Sequence, residues 1–352
     1  MENGSDLSYL EEIKNCIPLF DSNPRVKRDS RLVPLPGGIN NKVFRVNVNG
    51  RSFLLKIYFQ HPGDPRDRLG VEFSFSQYAW NRGIRCIPQP LFFDTNRHLA
   101  LYEFIEGNPV DPNRIHREYV SQSIDFFHAL NRHQDHNGDA SLPVASEASF
   151  TIAGYLHHVD SRMRKLLQID RSAKVHRDAF RFVDGELRSC WERERDRIIR
   201  NAHKLNMDIE VRIKKNDRCL SPSDFGFHNA ILASDRRLRF IDFEYAGWDD
   251  PTKTVCDYFC QPAFPVPMRY FELFTNGIVV NLSEPEKFVR RIHLLFPLHR
   301  IKWCCIILND FLQVDAQRRG FAAEGADQDE MKVNQLKKAR RYLSALQALP
   351  LF

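Results

Sequence analysis

The hydrophobic pattern of the first hundred residues predicts two β-hairpins. Apolar-rich runs cover residues 43–48 and 52–58, and Asn49-Gly50 separates them. That dipeptide is typical of a two-residue hairpin turn, because both of its residues tolerate positive φ. A second pair of runs, residues 91–93 and 98–104, flanks a polar turn. The sequence therefore predicts a small antiparallel sheet in this part of the chain.

Further along, apolar residues recur at helical spacing. One such stretch, residues 66–81, follows the first hairpin and stops near Gly83, a residue typical of helix C-termini. Beyond residue 108 the helical pattern dominates, with clear examples at residues 119–130 and 180–202. The predicted fold class is therefore α+β, with a small sheet region before a larger, mainly helical region.

A third hairpin is predicted in the middle of the helical part. Residues 230–233 and 238–241 are rich in apolar residues, and Ser234-Asp235 marks the turn between them. Three polar residues flank this hairpin at its open end: Asp224 and Asn229 before its first strand, and Asp242 after its second. Because the start of one strand lies beside the end of its hairpin partner, we expect these three side chains to converge.

Two carboxylates and a carboxamide at one point suit a hard divalent cation and a base. Mg²⁺ prefers carboxylate and carbonyl oxygens and shares its coordination sphere with substrate phosphates. Asn229 and Asp242 could thus hold the cation while Asp224 faces an acceptor hydroxyl. The alternative is that Asp224 only forms a turn after Pro222 and Ser223, a common role of aspartate. The presence of Asn229 and Asp242 disfavours that alternative.

Length and composition narrow the class of protein. A chain of 352 residues exceeds the usual size of a single core, so we expect two lobes. No apolar run is long enough to cross a bilayer and the first residues do not resemble a signal peptide, so we expect a cytoplasmic protein without a membrane partner. The 8 cysteines lack the paired spacing of a zinc site. The net charge of +6 suits an anionic ligand such as a nucleotide but is too dilute for a nucleic-acid binder.

The motifs of the central hairpin resemble those of a known family. Asp224 and Asn229 form the pattern D-x4-N, and I-D-F-E follows at residues 241–244. Together they resemble the catalytic loop and metal-binding motif of the aminoglycoside phosphotransferase and choline kinase superfamily. The resemblance implies a two-lobed protein-kinase-like fold. Its N-lobe would span residues 1–100, its hinge residues 101–107 and its helical C-lobe residues 108–352.

One position departs from the family pattern. The family carries a histidine two residues before the catalytic aspartate, and this chain has Pro222 there. In the family, that histidine holds the loop by hydrogen bonds and carries no proton. We therefore expect the change to affect the geometry of the loop, with Ser221 or Ser223 supplying the missing bond.

The resemblance also implies a nucleotide site on the first lobe. Lys56 would contact the phosphates of ATP, and Glu72 on the following helix would hold Lys56 in place. A glycine turn would let backbone N–H groups approach phosphate oxygens, and hinge backbone would bind the adenine edge. The residues assigned to ATP are Gly37, Gly38, Asn40, Lys56, Glu72, Glu103, Phe104 and Ile105. Three alternatives stay open from the residues alone: an ordinary turn at the glycines, a solvent-facing Lys56 and a solvated Glu72.

The acceptor side is the least determined part of the predicted site. Mg²⁺ would be held by Asn229 and Asp242, with Glu244 supporting them. The residues assigned to the acceptor pocket are Trp248, Asp249, Arg300 and Trp303. Trp303 could instead be an ordinary core tryptophan. Nearby acidic residues would suit a cationic acceptor, whereas Arg300 and Lys302 would suit an acidic or phosphorylated one.

The sequence thus predicts a kinase that uses ATP and Mg²⁺ to phosphorylate a hydroxyl of a small molecule, such as a sugar, an amino alcohol or an aminoglycoside. Phosphoryl transfer requires positioned charges more than a protein nucleophile, which fits this residue set. The alternative is a pseudokinase that binds nucleotide without turnover, with Pro222 marking a relaxed loop. A protein kinase is disfavoured, because no activation segment ending in A-P-E follows the I-D-F-E step. The sequence leaves the oligomeric state open.

Overall fold

The computed structural model describes residues 31–35, 41–48, 50–132, 142–312 and 328–347. The predicted phosphate-contacting residues Gly37, Gly38 and Asn40 lie outside these ranges. The described residues form an antiparallel sheet with one helix, followed by a mainly helical region that contains two smaller sheets. The α+β class and the order of the two regions are therefore as predicted.

The N-terminal sheet has five strands in the described part of the chain, and neighbouring strands run antiparallel. In chain order they are β1 (Arg31–Pro34), β2 (Asn41–Val48), β3 (Arg51–Tyr58), β4 (Pro90–Asp94) and β5 (Leu99–Glu103). Their spatial order is β1-β2-β3-β5-β4. Gly50 lies in the β2–β3 turn at φ +73°, a left-handed conformation that glycine adopts without steric cost. Both predicted hairpins, β2–β3 and β4–β5, are confirmed.

Helix α1 (Arg68–Asn81) lies against one face of this sheet. The carboxylate of Asp67 caps its first turn by accepting a backbone hydrogen bond at 2.9 Å. The chain leaves the helix through Gly83 at φ +79°, which agrees with the predicted helix end. Leu69 and Phe73 pack against apolar residues of β3 and β5. This packing fixes the position of α1 relative to β3.

The region after the sheet is mainly helical. Its helices are α2 (Arg117–Asn131), α3 (Ile152–Leu166), α4 (Lys174–Phe182), α5 (Arg188–Lys204), α6 (Pro251–Cys260), α7 (Phe271–Val279), α8 (Pro285–Ile307) and α9 (Gln328–Gln347). None of these described helices combines the length and the apolarity needed to cross a bilayer. The helix predicted at residues 180–202 is present, but a π-helical turn at Val183–Leu187 joins α4 to α5 within it. Such a turn shifts the register of the apolar stripe, which a regular 3.6-residue pattern does not reveal.

Two hydrophobic cores fill the helical region, and α8 contributes to both. The first core lies between α2, α6 and α7 and includes Phe126 and Phe274. The second lies between α3, α4, α5 and α9 and includes Trp191. Helix α8 places Ile292 in the first core and Leu298 in the second. This one helix therefore holds the two layers together.

Short strands position the central loops between the helices. Strands β6 (Gly107–Pro109), β8 (Ala230–Ala233) and β9 (Leu238–Phe240) form one antiparallel sheet, and β7 (Cys219–Ser221) pairs with β10 (Gly247–Asp249). The predicted central hairpin is β8–β9. Residues 104–106 connect β5 to β6. Because β6 pairs with β8, this connection lies next to the central hairpin.

Candidate active site

The open end of the β8–β9 hairpin brings the three predicted polar residues together. Ile241 N donates a hydrogen bond to Asn229 O at 3.0 Å, so Asp242 follows directly beside Asn229. The carboxamide Nδ2 of Asn229 donates to Asp224 O at 3.0 Å and lies 3.4 Å from Asp224 Oδ2. The expected convergence of Asp224, Asn229 and Asp242 is therefore present.

The loop before Asp224 and the loop after β9 each contain a non-glycine residue whose backbone is left-handed. Ser223 has φ +66° and Asp242 has φ +67°. Such conformations at functional sites cost about 1–3 kcal/mol each and persist only where their surroundings hold them. Asp224 N donates to Pro222 O at 2.9 Å, and Ser223 N donates to Ser221 Oγ at 3.0 Å. Ser221 therefore supplies a hydrogen bond to the loop, as expected from the absence of the family's histidine.

Lys56 on β3 is buried between α1 and the central hairpin. Only 5% of its surface is exposed, and its Nζ lies 2.6 Å from Glu72 Oε2 and also contacts Asp242 Oδ1. Glu72 is buried too, and its other oxygen accepts a hydrogen bond from Phe243 N at 3.3 Å. The alternatives of a solvent-facing Lys56 and a solvated Glu72 are therefore wrong.

Negative charge exceeds positive charge around Lys56. Burial lowers the pKa of Lys56, but the carboxylates of Asp242 and Glu72 outweigh burial and raise this pKa well above its ordinary value. The pKa of Asp242 is raised to about 7, because burial and the nearby Glu244 carboxylate outweigh the attraction of Lys56. The side chain of Asp242 keeps 34% of its surface exposed. Asp242 is therefore the carboxylate of this group that a ligand can reach.

Glu244 is enclosed by protein. Its Oε2 accepts a hydrogen bond from Asn41 Nδ2 at 2.8 Å and lies 3.7 Å from Arg68 Nε. Burial raises the pKa of Glu244, but Lys56 and the Asn41 hydrogen bond outweigh burial and lower it. Glu244 is therefore an ionised carboxylate whose oxygens face protein groups.

Asp224 has a histidine partner that was not predicted. His228 Nε2 lies 3.1 Å from Asp224 Oδ1. Burial raises the pKa of Asp224, but the contact with His228 outweighs burial and lowers it. Burial lowers the pKa of His228, and Asp224 raises it by more. Asp224 is therefore ionised at neutral pH, and 28% of its side chain stays exposed.

A second buried lysine contacts the loop that carries Asp224. Lys253 on α6 donates through Nζ to Ser223 Oγ at 2.7 Å and to Asp249 Oδ2 at 2.8 Å. The same Nζ lies 3.5 Å from Asp257 Oδ2. Burial lowers the pKa of Lys253, but the two aspartates outweigh burial and raise it. A charged ammonium group from α6 therefore donates a hydrogen bond to the loop before Asp224.

Asp257 joins this lysine to α8. Lys302 Nζ lies 2.6 and 2.7 Å from its two carboxylate oxygens, and Trp303 Nε1 donates to Oδ1 at 2.8 Å. His299 Nδ1 lies 3.1 Å from the same oxygen. Burial raises the pKa of Asp257, but Lys302 and Lys253 outweigh burial and hold it well below its ordinary value. Asp257 is therefore ionised and fully partnered.

The two candidate acceptor tryptophans are both half-buried. Trp303 is oriented by its hydrogen bond to Asp257. Trp248 lies in β10 opposite Leu220 of β7, and its carbonyl accepts a hydrogen bond from Ala145 N at 2.9 Å. Both residues keep part of their surface exposed. Contact of either ring with an acceptor stays a prediction.

The two charged candidates for the acceptor pocket are engaged by other protein groups. Asp249 is fully buried, and burial raises its pKa although Lys253 lies against it. The guanidinium of Arg300 lies 4.3 Å from the centre of the Tyr342 ring on α9. Their roles in acceptor binding stay predictions.

The residues assigned to the hinge lie where the chain passes from β5 to β6. Glu103 N donates to Gln89 O at 2.9 Å, so this N–H is already satisfied within the sheet region. The ring of Phe104 lies under the Arg45 guanidinium at 4.3 Å, and Ile105 is half-buried. Their contact with a nucleotide stays a prediction.

The open end of the β8–β9 hairpin offers few side-chain oxygen atoms to a metal ion. This small number determines which kind of cation site they could form. Across the described residues, no three or more His, Cys, Asp or Glu side chains are arranged to hold a metal ion by themselves. Mg²⁺ is often bound by one or two protein ligands together with substrate phosphates and water. The Asp242 carboxylate and the Asn229 carboxamide oxygen form a set of that size. The raised pKa of Asp242 agrees with a cation site, because added positive charge would stabilise its ionised form.

Among the residues with direct contacts in the site, Asn41, His228 and Lys253 were not predicted. Lys253 had a signal in the sequence, because it lies four residues before Asp257 on α6, a spacing at which helical side chains meet. His228 lies four residues after Asp224, but these two residues are not on one α-helix, so the spacing carried no such signal. Asn41 had no such signal, because its partner Glu244 is 203 residues away.

Solved structures share this architecture over nearly the whole chain. An ethanolamine kinase of Plasmodium vivax is 17% identical with a TM-score of 0.60, covering 100% of this chain and 90% of its own. A choline/ethanolamine kinase family protein of Mesorhizobium loti is 16% identical with a TM-score of 0.57, covering 97% and 99%. A spectinomycin phosphotransferase, solved with ADP and spectinomycin, is 12% identical with a TM-score of 0.57, covering 91% and 92%. These similarities confirm the two-lobed protein-kinase-like fold.

The family is shown by the sequence itself. No curated protein sequence matches the chain. The model of the APH phosphotransferase enzyme family matches residues 31–255, which is well over half of the chain and includes the central hairpin. The protein therefore belongs to the phosphotransferase enzyme family.

Proposed function

We propose that the protein transfers the γ-phosphoryl group of ATP to a hydroxyl group of a small molecule. One observation carries the proposal: an ionised, partly exposed Asp224 lies with Asn229 and Asp242 at one hairpin end, against the buried Lys56–Glu72 pair. A base, oxygen ligands for a cation and a lysine for phosphates are the groups that phosphoryl transfer needs. Folding alone does not require such a convergence, because buried charges are costly.

In this proposal, ATP lies between the N-terminal sheet and the helical region. Lys56 binds phosphate oxygens, with its ammonium held by Glu72 and Asp242. The other nucleotide contacts are the backbone of Glu103, Phe104 and Ile105 at the adenine edge, and Gly37, Gly38 and Asn40 at the phosphates. The spectinomycin phosphotransferase with the same fold was solved with ADP, which supports a nucleotide as ligand.

Asn229 and Asp242 would hold Mg²⁺, and Glu244 would support Asp242 from its enclosed position. When bound, Mg²⁺ neutralises and orients the phosphate oxygens of the nucleotide. The excess of carboxylates around Lys56 supports this assignment, because Glu72 and Asp242 share the one ammonium group of Lys56.

Asp224 orients the acceptor hydroxyl and takes its proton. As the acceptor oxygen forms its bond to the γ-phosphorus, the bond from that phosphorus to the β–γ bridging oxygen breaks, and ADP leaves with the electron pair. His228 holds the Asp224 carboxylate at 3.1 Å while the hydroxyl proton passes to it. An ordinary ionised carboxylate suffices, because the hydroxyl proton becomes acidic late in a loose transition state.

The acceptor is a small molecule with a free hydroxyl, and Trp248 and Trp303 would line its site. Asp249 and Arg300 would shape the site from behind, since each is engaged by another protein group. Kinases named for ethanolamine and a phosphotransferase named for spectinomycin share the fold. Their names support a screen that spans amino alcohols, aminoglycosides and sugars.

An ADP-release assay with ATP and Mg²⁺ over that screen tests the proposal. With an acceptor that is turned over, we expect Asp224→Asn to lower kcat by about 10²–10⁴-fold, because it removes the general base. Asp235→Asn is the matched control: it makes the same change at the exposed turn of the same hairpin, and it should keep the wild-type kcat. Circular dichroism should show that both variants are folded.

Two results would count against the proposal. A wild-type kcat in Asp224→Asn would show that this carboxylate is not the base. Nucleotide binding by calorimetry without phosphate transfer to any acceptor would favour the alternative, a nucleotide-binding pseudokinase, for which Pro222 is the motivating feature.

A further inference from the structure

The ammonium group of Lys253 is surrounded by three protein oxygens. Its Nζ lies 2.7 Å from Ser223 Oγ, 2.8 Å from Asp249 Oδ2 and 3.5 Å from Asp257 Oδ2. A lysine ammonium has three donors and no acceptor. Because these partners belong to the Asp224 loop, to β10 and to its own helix, Lys253 links the Asp224 loop and β10 to α6.

Ser223 is the uncharged partner of Lys253, and it directly precedes Asp224. Its Oγ accepts the hydrogen bond from Lys253 and lies 3.4 Å from Ser146 O, so the hydroxyl is fixed from two sides. Its backbone is left-handed, a conformation that persists only where the surroundings hold it. Any rotation of this backbone would swing the Asp224 carboxylate away from its present direction.

We propose that Lys253 is a positioning residue: through Ser223 Oγ it fixes the backbone turn that directs the Asp224 carboxylate toward the acceptor hydroxyl. This inference rests on the proposed function and adds a residue to it. Pro222 has no hydrogen-bonding side chain, so the side-chain hydrogen bonds just before Asp224 come from the hydroxyls of Ser221 and Ser223.

The same lysine connects the base to the candidate acceptor wall. Asp257 contacts Lys253 and also accepts the hydrogen bond from Trp303 Nε1 at 2.8 Å. A buried chain of contacts thus runs from Ser223 through Lys253 and Asp257 to Trp303. Charge-assisted contacts of this kind are stronger and more directional than neutral ones. The direction of Asp224 and the orientation of the Trp303 ring are therefore set by one network.

Ser223→Ala tests the inference with little disturbance of the core. It removes the hydroxyl that Lys253 contacts and leaves the lysine paired with Asp249 and Asp257. We expect kcat to fall about 10- to 100-fold, because small misplacements of a reacting group cost that much. KM for ATP should stay within about 2-fold of wild type, because the substitution does not touch the Lys56 pair that holds the phosphates. A change confined to kcat distinguishes a positioning role from a general loss of structure.

Ser123→Ala is the matched control. It removes another buried serine hydroxyl, which contacts Tyr258 OH at 3.2 Å and the α2 backbone. It should destabilise the fold about as much as Ser223→Ala and leave kcat unchanged. Lys253→Met should lower kcat as well, and if that variant does not fold, Ser223→Ala carries the test.

Hydrogen–deuterium exchange over residues 219–229 measures the order of the loop without any turnover. We expect faster exchange there in Ser223→Ala than in wild type or Ser123→Ala. Unchanged exchange in Ser223→Ala, or an equal loss of kcat in both serine variants, would overturn the inference. If the wild-type chain transfers no phosphate, the proposed function fails, and the exchange comparison alone decides whether Lys253 holds the loop.

Discussion

Two aspartates beside buried lysines have pKa values that are shifted in opposite directions. The pKa of Asp242, beside Lys56, is raised to about 7, whereas that of Asp257, beside Lys302 and Lys253, is held well below its ordinary value. Burial raises the pKa of both groups, so burial does not explain the difference. The number of neighbouring charges explains it. Two further carboxylates lie near Lys56 besides Asp242, whereas two lysines contact Asp257.

The comparison distinguishes a structural charge cluster around Asp257 from the proposed cation site at Asp242. Buried charges are stable when opposite charges compensate them, and the Asp257 cluster meets that condition within the protein. The Asp242 cluster does not, and Asp242 is also the more exposed of the two side chains. A charge cluster that stays unbalanced and open to solvent is where we expect a cation to bind.

The largest expected effect is a difference in the free energy of unfolding between variants in which each of these two aspartates is replaced by asparagine. Asp257→Asn leaves buried ammonium groups without a carboxylate and should lower the free energy of unfolding by about 3–5 kcal/mol. Asp242→Asn relieves repulsion among carboxylates and should change it by at most about 1 kcal/mol, given the partial exposure of Asp242. Urea unfolding of both variants at pH 8 with EDTA measures the difference. Equal losses in the two variants would remove the distinction between the structural charge cluster and the proposed cation site.

Ligand binding should sharpen the same distinction. ADP with Mg²⁺ at about 100 times its Kd should stabilise the wild-type protein by about 2.7 kcal/mol, because it binds only the folded state. Asp242→Asn should lose most of this stabilisation, since it lacks a cation ligand. The matched variant Asp235→Asn should retain it. Thermal unfolding with and without EDTA gives both values, and full stabilisation of Asp242→Asn would contradict the assignment of this residue.

The contribution of the Asp224–His228 pair to folding stability should depend on pH, because His228 can lose its charge. The pKa of Asp224 is lowered and that of His228 is raised by their contact. The pair therefore stabilises the fold fully between pH of about 4 and 6.5, the ordinary values of the two groups. Its contribution is lost as pH falls through the lowered pKa of Asp224, and also as pH rises through the raised pKa of His228.

His228→Gln should show this dependence as the smallest of the expected effects. At pH 5.5 the variant should be less stable than wild type by about 1 kcal/mol, the size of a single hydrogen bond. The gap should close as pH rises to 9. Urea unfolding across this range measures it, with a control substitution to Gln at the half-buried His98, whose ring contacts the uncharged Gln60. A gap that does not depend on pH would show that the imidazole carries no charge beside Asp224.

The central hairpin was predictable because local rules fix it. Apolar runs and a turn dipeptide determine β8 and β9, and their pairing places Asp224, Asn229 and Asp242 at one end without further information. The pairing of Lys56 with Glu72 was predicted from the family resemblance alone. Residues 55–58 of β3 are all buried, so alternation along the strand could not tell which way Lys56 points.

The Lys253 network was not predictable in the same way. Every residue of α6 is buried, so the helix has no polar face against which a charged residue looks unusual. A lysine in such a segment is normally read as solvent-exposed, because lysine is rarely buried without a partner. Only the packing of α6 against α8 brings Lys302 and Trp303 to the aspartate that completes the network.

The left-handed backbone at Asp242 also has a consequence for which substitutions related sequences would accumulate at this position. Glycine has no β-carbon and would relax that conformation, so the carboxylate is kept at the expense of local stability. A related chain that did not need the proposed cation ligand would gain local stability by replacing Asp242 with glycine. Glycine at this position in a related gene sequence would therefore indicate that the encoded protein has lost the proposed activity.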